Sequence, residues 1–447
     1  MLSAFSNTLK IPELRQRIFF TCAMLFLCRM LAVIPLPGVD VAALQAIIDR
    51  MTQNSGGGFL GMLDLFSGGA LTAAAVGALG IMPSISASII LQLMTAVIPS
   101  LERLAREGDA GRQKIIQYGR YLTVFLCIVQ GFGFAAVLLD PARLFGAGVG
   151  DAPIVLLGRV PFLLLAVLSM TTGTMLLMWF GEQITARGIG NGISLIITVS
   201  IVSRLPGAIH QTIETFTLPD DIFKLVVIIA LAFLVIAGVV AVTQAQRKIP
   251  VQYAKRVVGR KTYGGQSTYM PLRVNYSGVM PIIFASAILM FVAKVLEWMP
   301  ATKEFAQTHL VREASVFYLS IYGLLILFFS YFWVATQFHP VQIADDLKKY
   351  GGYVPGIRPG KPTAEYLDKT MTRITLAGSI FLTIIAVLPI ILNAMLSIPP
   401  LVAQFFGGTS LLIIVGVMLD TMRQVESHLV TRHYDGFLRK GHLRSRR

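Results

Sequence analysis

The chain has 447 residues, of which 55% are hydrophobic and 14% charged, and its mean hydropathy is +0.71. These values exclude a water-soluble globular enzyme or binding module and indicate a polytopic helical membrane protein. The net charge of +15 does not point to DNA, because the cations sit in the connections between apolar stretches, where they set orientation and meet anionic lipid or an acidic partner such as ribosomal RNA.

Ten apolar stretches are predicted to cross the bilayer: 18–34, 70–98, 121–139, 160–180, 193–205, 225–242, 279–295, 316–338, 374–396 and 402–419. The connections alternate in charge. One set (1–17, 99–117, 181–190, 244–279, 339–373 and 421–447) carries 28 Lys and Arg; the opposite side carries seven, Arg50, Arg143, Arg159, Arg204, Lys294, Lys303 and Arg312, of which Arg204 and Lys294 stand at the very ends of their stretches. Cytoplasmic loops hold the Lys and Arg excess, so both termini are expected in the cytoplasm. The first stretch is followed by Pro35-Leu36-Pro37-Gly38 and not by a small-residue cleavage site, so a cleaved signal peptide is not expected.

Ten spans divide as five plus five, and because five is odd the second half enters the membrane inverted. The fold class expected is an all-α polytopic membrane protein with two pseudo-symmetric inverted halves, residues 1–205 and 222–447, joined by a hinge connection at 206–221. No residue-level repeat between the halves is visible, so this expectation rests on topology.

Irregularities follow in chain order. The loop 35–69 contains Asn54-Ser55-Gly56-Gly57-Gly58 and ends in the apolar run 59–69, too short to span; it reads as a re-entrant element or as an interfacial helix. The stretch 70–98 contains Pro83 and the polar series Ser84, Ser86, Ser88 and Gln92, while 193–205 has only 13 residues, about 20 Å of helix against a bilayer core of about 30 Å. Short or broken spans point to a transport pathway, with irregular packing as the alternative. The loop 244–278 carries seven basic residues and no Asp or Glu; it is expected to project as a basic hairpin toward an acidic partner.

Nucleophilic, metal and nucleotide chemistry is not visible. The histidines His210, His309, His339, His428, His433 and His442 stand in connections or at span ends without zinc spacing. The cluster Gly188-Ile189-Gly190-Asn191-Gly192 lacks the GxGxxG spacing, and no GxxxxGK[ST] occurs. No enzymatic activity, cofactor or metal is therefore expected. Cys22, Cys28 and Cys127 lie inside predicted spans and read as packing residues. Arg29 is the one charge well inside a span; it stands six residues before Pro35 and is expected to snorkel outward. An ion-coupled carrier needs a buried coupling charge, and none is visible.

Long blocks then identify a family. IPLPGV at 34–39, FSGGAL at 66–71, ALGIMPSISASIILQL at 78–93, GEQITARGIGNGISLII at 181–197, PVQYAK at 250–255, GGQSTYM at 264–270, residues 275–289, IADDLKKYGGYVPGIRPGKP at 343–362 and residues 406–426 resemble the bacterial SecY family of protein-conducting channels over essentially the whole chain. The resemblance implies an hourglass pore in the bacterial inner membrane, closed by a ring of aliphatic side chains at Ile81, Ile85, Ile193, Ile197, Ile283 and Ile413. It places a plug at Met62, Leu63, Asp64, Leu65, Phe66, Ser67, Gly68, Gly69, Ala70, Leu71 and Thr72. A lateral gate toward lipid would lie between the helices containing 78–98 and 279–291, with Gln92, Gln130 and Phe291 at it; helix–helix hydrogen bonding is the other reading of the two glutamines. Arg256, Arg260, Lys261 and Arg358 fall on the family's partner-binding loops, 244–278 and 339–373.

The partners implied are SecE-like and SecG-like small membrane subunits, a SecA motor ATPase, the ribosome, signal sequences and nascent polypeptides. An aliphatic ring suits such a pore: it resists wetting when empty and holds no passing side chain by hydrogen bonds, and β-branched isoleucine is stiff at χ1. A small-solute carrier with inverted repeats and a ribosome receptor without a pore are the competing classes.

Overall fold

The structure, a computed structural model, describes residues 11–44, 67–139, 155–216, 222–253, 256–258, 261–263, 267–276, 278–298, 302–310, 315–396, 402 and 409–440. It is built of helices, in chain order α1 (Pro12–Leu31), α2 (Met82–Val97), α3 (Pro99–Arg106), α4 (Asp109–Leu139), α5 (Arg159–Arg187), α6 (Gly192–Val202), α7 (Leu205–Thr215), α8 (Ile222–Gln244), α9 (Met280–Trp298), α10 (Lys303–His309), α11 (Val316–Gln337), α12 (Pro340–Lys349), α13 (Lys361–Leu396) and α14 (Thr409–Lys440). Five short strands stand among them: β1 (Gln246–Tyr253), β2 (Arg256–Val258), β3 (Lys261–Tyr263), β4 (Ser267–Arg273) and β5 (Gly352–Tyr353). Each of the ten apolar stretches contributes to a helix. Among the described residues, six segments are long and apolar enough to cross a membrane: Asp109–Leu139, Arg159–Arg187, Gly192–His210, Ile222–Gln244, Val316–Lys349 and Lys361–Leu388. The bent pair Met82–Thr95 and Pro99–Ala105 makes a seventh if read as one span. The chain is a polytopic membrane protein.

That pair turns by 104°. The cause is local: Ile98, which precedes Pro99, is extended at φ −95°, ψ 113°, as the ring of a following proline requires.

Three sequence expectations change. The stretch 70–98 is not helical throughout, since α2 begins only at Met82, with Pro83 in its first turn. Residues 67–81 instead form a chain of turns with positive φ at Gly68, Gly69, Ala74 and Gly80. This strap is tied to the end of α1, with Val76 N donating to Ile34 O at 2.8 Å, Leu36 N to Ala74 O at 2.8 Å and Gly77 N to Leu31 O at 2.9 Å. Small side chains permit the approach: Ala70, Ala74 and Ala75 are fully buried, and a Cβ at Gly77 would lie 3.0 Å from Leu31 O.

Secondly, the short stretch 193–205 is part of a longer span, Gly192–His210. Ser203 N bonds to Val199 O, Arg204 N to Ile201 O and Ala208 N to Arg204 O, so helical hydrogen bonding runs from α6 into α7. Thirdly, residues 206–215, read from sequence as the first part of a connection 206–221, are helical, within α7.

The chain divides into two compact units, Met1–Ile213 with Val417–Arg447, and Glu214–Gly416. In the first unit α5 packs against α1, α4 and α6, and α2 packs against α4. In the second, α11 packs against α9 and α13, and α8 against α13. The loop 244–278 is a β-hairpin: β1 pairs antiparallel with β4 from Gln246↔Arg273 to Gln252↔Ser267, and with β5 at Gln252↔Tyr353 and Tyr253↔Gly352. Pro250 is tolerated in the middle strand because β5 flanks only residues 252 and 253, so the missing N–H loses no ladder bond on that side.

Candidate functional sites

The isoleucines of the expected ring are buried with one exception. Ile81 is the N-cap residue of α2 and is 3% exposed; Ile85, one turn on, is 7% exposed, and its N–H donates to Ile81 O at 3.2 Å. On α6, Ile197 is 6% exposed and Ile193 half-buried. In the second unit, Ile283 on α9 is 6% exposed and Ile413 on α14 is 1% exposed. Five of the six therefore turn into the protein and not toward lipid.

The start of α6 is specified side chain by side chain. A helix leaves its first N–H groups without intrahelical partners, and here each has one. Gly192 N donates to Thr185 Oγ1 at 2.9 Å, Ile193 N and Ser194 N donate to Asn191 Oδ1 at 3.1 and 3.4 Å, and Leu195 N donates to Asn191 O at 2.9 Å. The loop before it is held twice more: Ile189 N donates to Thr21 Oγ1 of α1 at 3.1 Å, and Gly190 N to Gln424 Oε1 of α14 at 2.9 Å. Gly190 has φ +89°, a conformation that glycine adopts without cost. These contacts fix the helix that carries Ile193 and Ile197. Asn191 ahead of an apolar run is an N-cap signal readable in sequence; Thr21 and Gln424 gave no signal, since they lie 168 and 234 residues from the groups they bind.

Of the expected plug, Met62, Leu63, Asp64, Leu65 and Phe66 lie outside the described residues. Residues 67–72 open the strap, where Leu71 N donates to Ser67 Oγ at 3.1 Å and Thr72 Oγ1 to Gly69 O at 3.1 Å. Arg29 does not snorkel outward. It is half-buried, and its Nη2 donates to Gly68 O at 2.9 Å, because the strap brings a backbone carbonyl within reach. Arg204, not singled out from sequence, donates from Nη2 to Thr72 Oγ1 at 2.9 Å.

The gate glutamines are both exposed, Gln92 on α2 and Gln130 on α4. Gln92 stands beside the exposed Ile90 and Met94, and Gln130 near the exposed Ile128, Val129 and Phe132. Phe291 lies on α9, with its side chain outside the described residues. An ion pair that sequence did not reveal, Arg120 with Glu182, joins α4 to α5 with two hydrogen bonds of 3.2 and 2.7 Å.

A basic surface rises from one apolar base. Ile249 and Leu272 of the hairpin, Val354 of the following turn, and Leu367, Met371 and Ile374 of α13 form a single buried cluster. On it stand the exposed Arg247, Lys248 and Arg273. Arg256 and Lys261 begin β2 and β3, a two-stranded ribbon in which Arg256 pairs with Tyr263 and Val258 with Lys261; Arg260 lies outside the described residues. Arg358 is exposed on the turn between Gly356 (φ +83°) and Gly360 (φ +99°), and its carbonyl accepts from Thr363 Oγ1 at 2.8 Å. Glycine at both positions permits the left-handed backbone, so the guanidinium is presented from a defined turn. Among the described residues no group of three His, Cys, Asp or Glu side chains could hold a metal ion.

Residues 75–422 match the SecY family model. The chain is 46% identical over 445 residues to the protein translocase subunit SecY of Streptomyces scabiei, covering 98% of this chain and all of the relative. It is 44% identical over 449 residues to that of Thermotoga maritima, covering both chains fully. Among solved structures it is similar to a protein-conducting channel (TM-score 0.59, 18% identity, 93% of this chain and 92% of the other). A second likeness is to Sec61 in the canine ribosome–channel complex from the endoplasmic reticulum (TM-score 0.53, 16% identity, 93% and 92%). With a family model over most of its length and full-length relatives at 44–46% identity, the chain belongs to the SecY family.

Proposed function

We propose that this chain is the pore subunit of a protein translocase, passing unfolded polypeptides across the membrane and releasing apolar segments sideways into lipid. It is a channel subunit and not an enzyme. The observation that carries the reading is the burial of Ile81, Ile85, Ile197, Ile283 and Ile413, each between 1 and 7% exposed, on helices of a polytopic membrane protein whose full-length relatives are protein translocase subunits. With Ile193 these side chains form the constriction: dry when the channel rests, displaced when a chain enters.

In the finer reading ten helices span a bacterial inner membrane in two inverted halves, with both termini in the cytoplasm, where Lys and Arg are concentrated. Residues 62–72 seal the outer side. The surface bearing Arg256, Arg260, Lys261 and Arg358 receives a SecA-like motor or the ribosome, and SecE-like and SecG-like helices complete the assembly. Sec61, to which the fold is similar, occurs in a ribosome–channel complex, in keeping with a ribosome as one driver. The solute-carrier reading lacks support in any named relative.

The test replaces two or more ring isoleucines by Asn in the reconstituted complex. Amide side chains wet the constriction and favour the open state. Ion leak from proteoliposomes should rise, and export should extend to substrates with impaired signal sequences. Unaltered leak together with unaltered signal stringency refutes the assignment.

A further inference from the structure

Two arginines far apart in sequence reach one six-residue segment. From α1, Arg29 Nη2 donates to Gly68 O at 2.9 Å; from the turn after α6, Arg204 Nη2 donates to Thr72 Oγ1 at 2.9 Å, and Ser203 Oγ, which donates to Ser200 O at 2.7 Å, stands 3.4 Å from Gly68 O. The fit is close. A Cβ at Gly68 would lie 2.9 Å from both Cα and O of Ser200, and one at Gly69 would lie 3.0 Å from the Arg204 Cζ. Gly68 and Gly69 also have φ of +66° and +94°, so a side chain at either is strained as well as obstructed.

Ala70 is fully buried, but its apolar cluster consists of Ala32, Ala70, Ala73 and Ala75, the smallest side chains available for the purpose. Arg29 also lines a cavity of about 20 Å³ with Ser67, Ser200 and the ring residue Ile81, room for about one water. Bringing two guanidinium groups to consecutive glycines costs desolvation and mutual repulsion, which a contact serving only stability would avoid. A contact that must break on demand gains from both, since the groups recover water and separate on release.

We propose that Arg29 and Arg204 form a latch on residues 67–72, and that the strength of this latch sets how good a signal segment must be to open the channel. The inference rests on the reading of 62–72 as a plug and names the side chains that hold it shut. Arg suits the role because its planar donors reach a carbonyl while its charge never titrates away. Losing one charge-assisted hydrogen bond at this half-buried site should raise the open population about tenfold.

The experiment uses the reconstituted complex with Cys22, Cys28 and Cys127 replaced by Ala and a single reporter, Leu71→Cys. Resting ion leak and the rate of alkylation by a membrane-impermeant maleimide are measured for Arg29→Gln, Arg204→Gln, Arg29→Lys and Thr72→Val, beside a deletion of residues 63–71 measured for leak. Both Gln variants should raise leak and labelling about tenfold and export substrates with weakened signals; Arg29→Lys should lie between them and the parent. Thr72→Val removes the acceptor of Arg204 together with the Thr72 Oγ1 bond to Gly69 O, leaves both arginines in place and should reproduce the Arg204→Gln labelling, which separates the latch from any misfolding of the arginine variants. If Gln and Val variants match the parent while the deletion leaks, the latch is wrong and the plug reading stands. A deletion that does not leak overturns both.

Discussion

Gly192→Ala should drive α6 away from α5. A Cβ at 192 would lie 2.7 Å from the carbonyl carbon of Gly181 and 2.8 Å from its Cα, whereas carbons pack at about 3.5–4.0 Å. Relief requires roughly 1 Å of separation, and backbone in the middle of a helix cannot swing aside as a side-chain tip can. Overpacking of this kind costs about 1–3 kcal/mol. Because α6 carries Ile193 and Ile197, the same displacement moves two ring side chains by about their share of that 1 Å, and the Gly192 N to Thr185 Oγ1 bond of 2.9 Å is stretched with them. Alanine at the other side of the same contact should be mild: a Cβ at Gly181 would meet Ile193 Cγ1 and Ile196 Cδ1 at 3.4 Å and Ile193 N at 3.5 Å, ordinary van der Waals separations. Both variants are purified in detergent for thermal unfolding and reconstituted for ion leak. Gly192→Ala should unfold at lower temperature and, if the whole cost falls on the closed state, leak roughly five- to hundredfold faster; Gly181→Ala should stay near the parent. Two alanines that behave alike, or a Gly192→Ala protein as stable and tight as the parent, refute the reasoning.

Asn191→Ala removes the acceptor for Ile193 N and Ser194 N; since Asn191 is exposed and water replaces part of the loss, the expected cost is about 0.5–1 kcal/mol, read as a lowered unfolding temperature that Asn191→Asp restores. Arg358→Glu should abolish motor-driven export while leaving membrane insertion intact, because reversal turns a bidentate attraction into repulsion on a turn fixed by Gly356 and Gly360; normal ATP-driven translocation in reconstituted vesicles would refute it. Arg120→Ala should cost less than about 1 kcal/mol despite the 2.7 Å bond to Glu182, since both side chains are substantially exposed, at 46% and 32%; unfolding measured with Arg120→Ala, Glu182→Ala and the double variant gives the coupling directly.

Hydropathy found the helices because it reports which solvent a segment prefers, and the stretches at 121–139, 160–180 and 225–242 fall within α4, α5 and α8 for that reason. It misplaced the start of α2 because residues 70–81 are as apolar as a span while being strap: alanine and glycine there bury themselves against the end of α1, and apolarity does not distinguish packing against protein from packing against lipid. Pro83 was the local clue, since proline belongs in the first turn of a helix. The apolar stretch 193–205 is shorter than the helix it belongs to: proline in the first turn of α7 gives up an N–H that needs no intrahelical partner there, and the bond from Ala208 N to Arg204 O carries the helix onward.

Arg29 shows where such reading runs out. Its position within a span was legible, and snorkelling was the sound inference for a cation with only lipid and interface to choose from. The deciding group was a carbonyl 39 residues away, presented by a backbone whose left-handed turns at Gly68 and Gly69 have no hydropathy signature. Arg204 is the same case from the other direction, a residue counted only among the scarce cations of the less basic connections until Thr72 is seen beside it. For both, the meaning lies in the strap and not in the span, so the two charges that count against a membrane helix on composition become the groups able to hold a channel closed without any titratable switch.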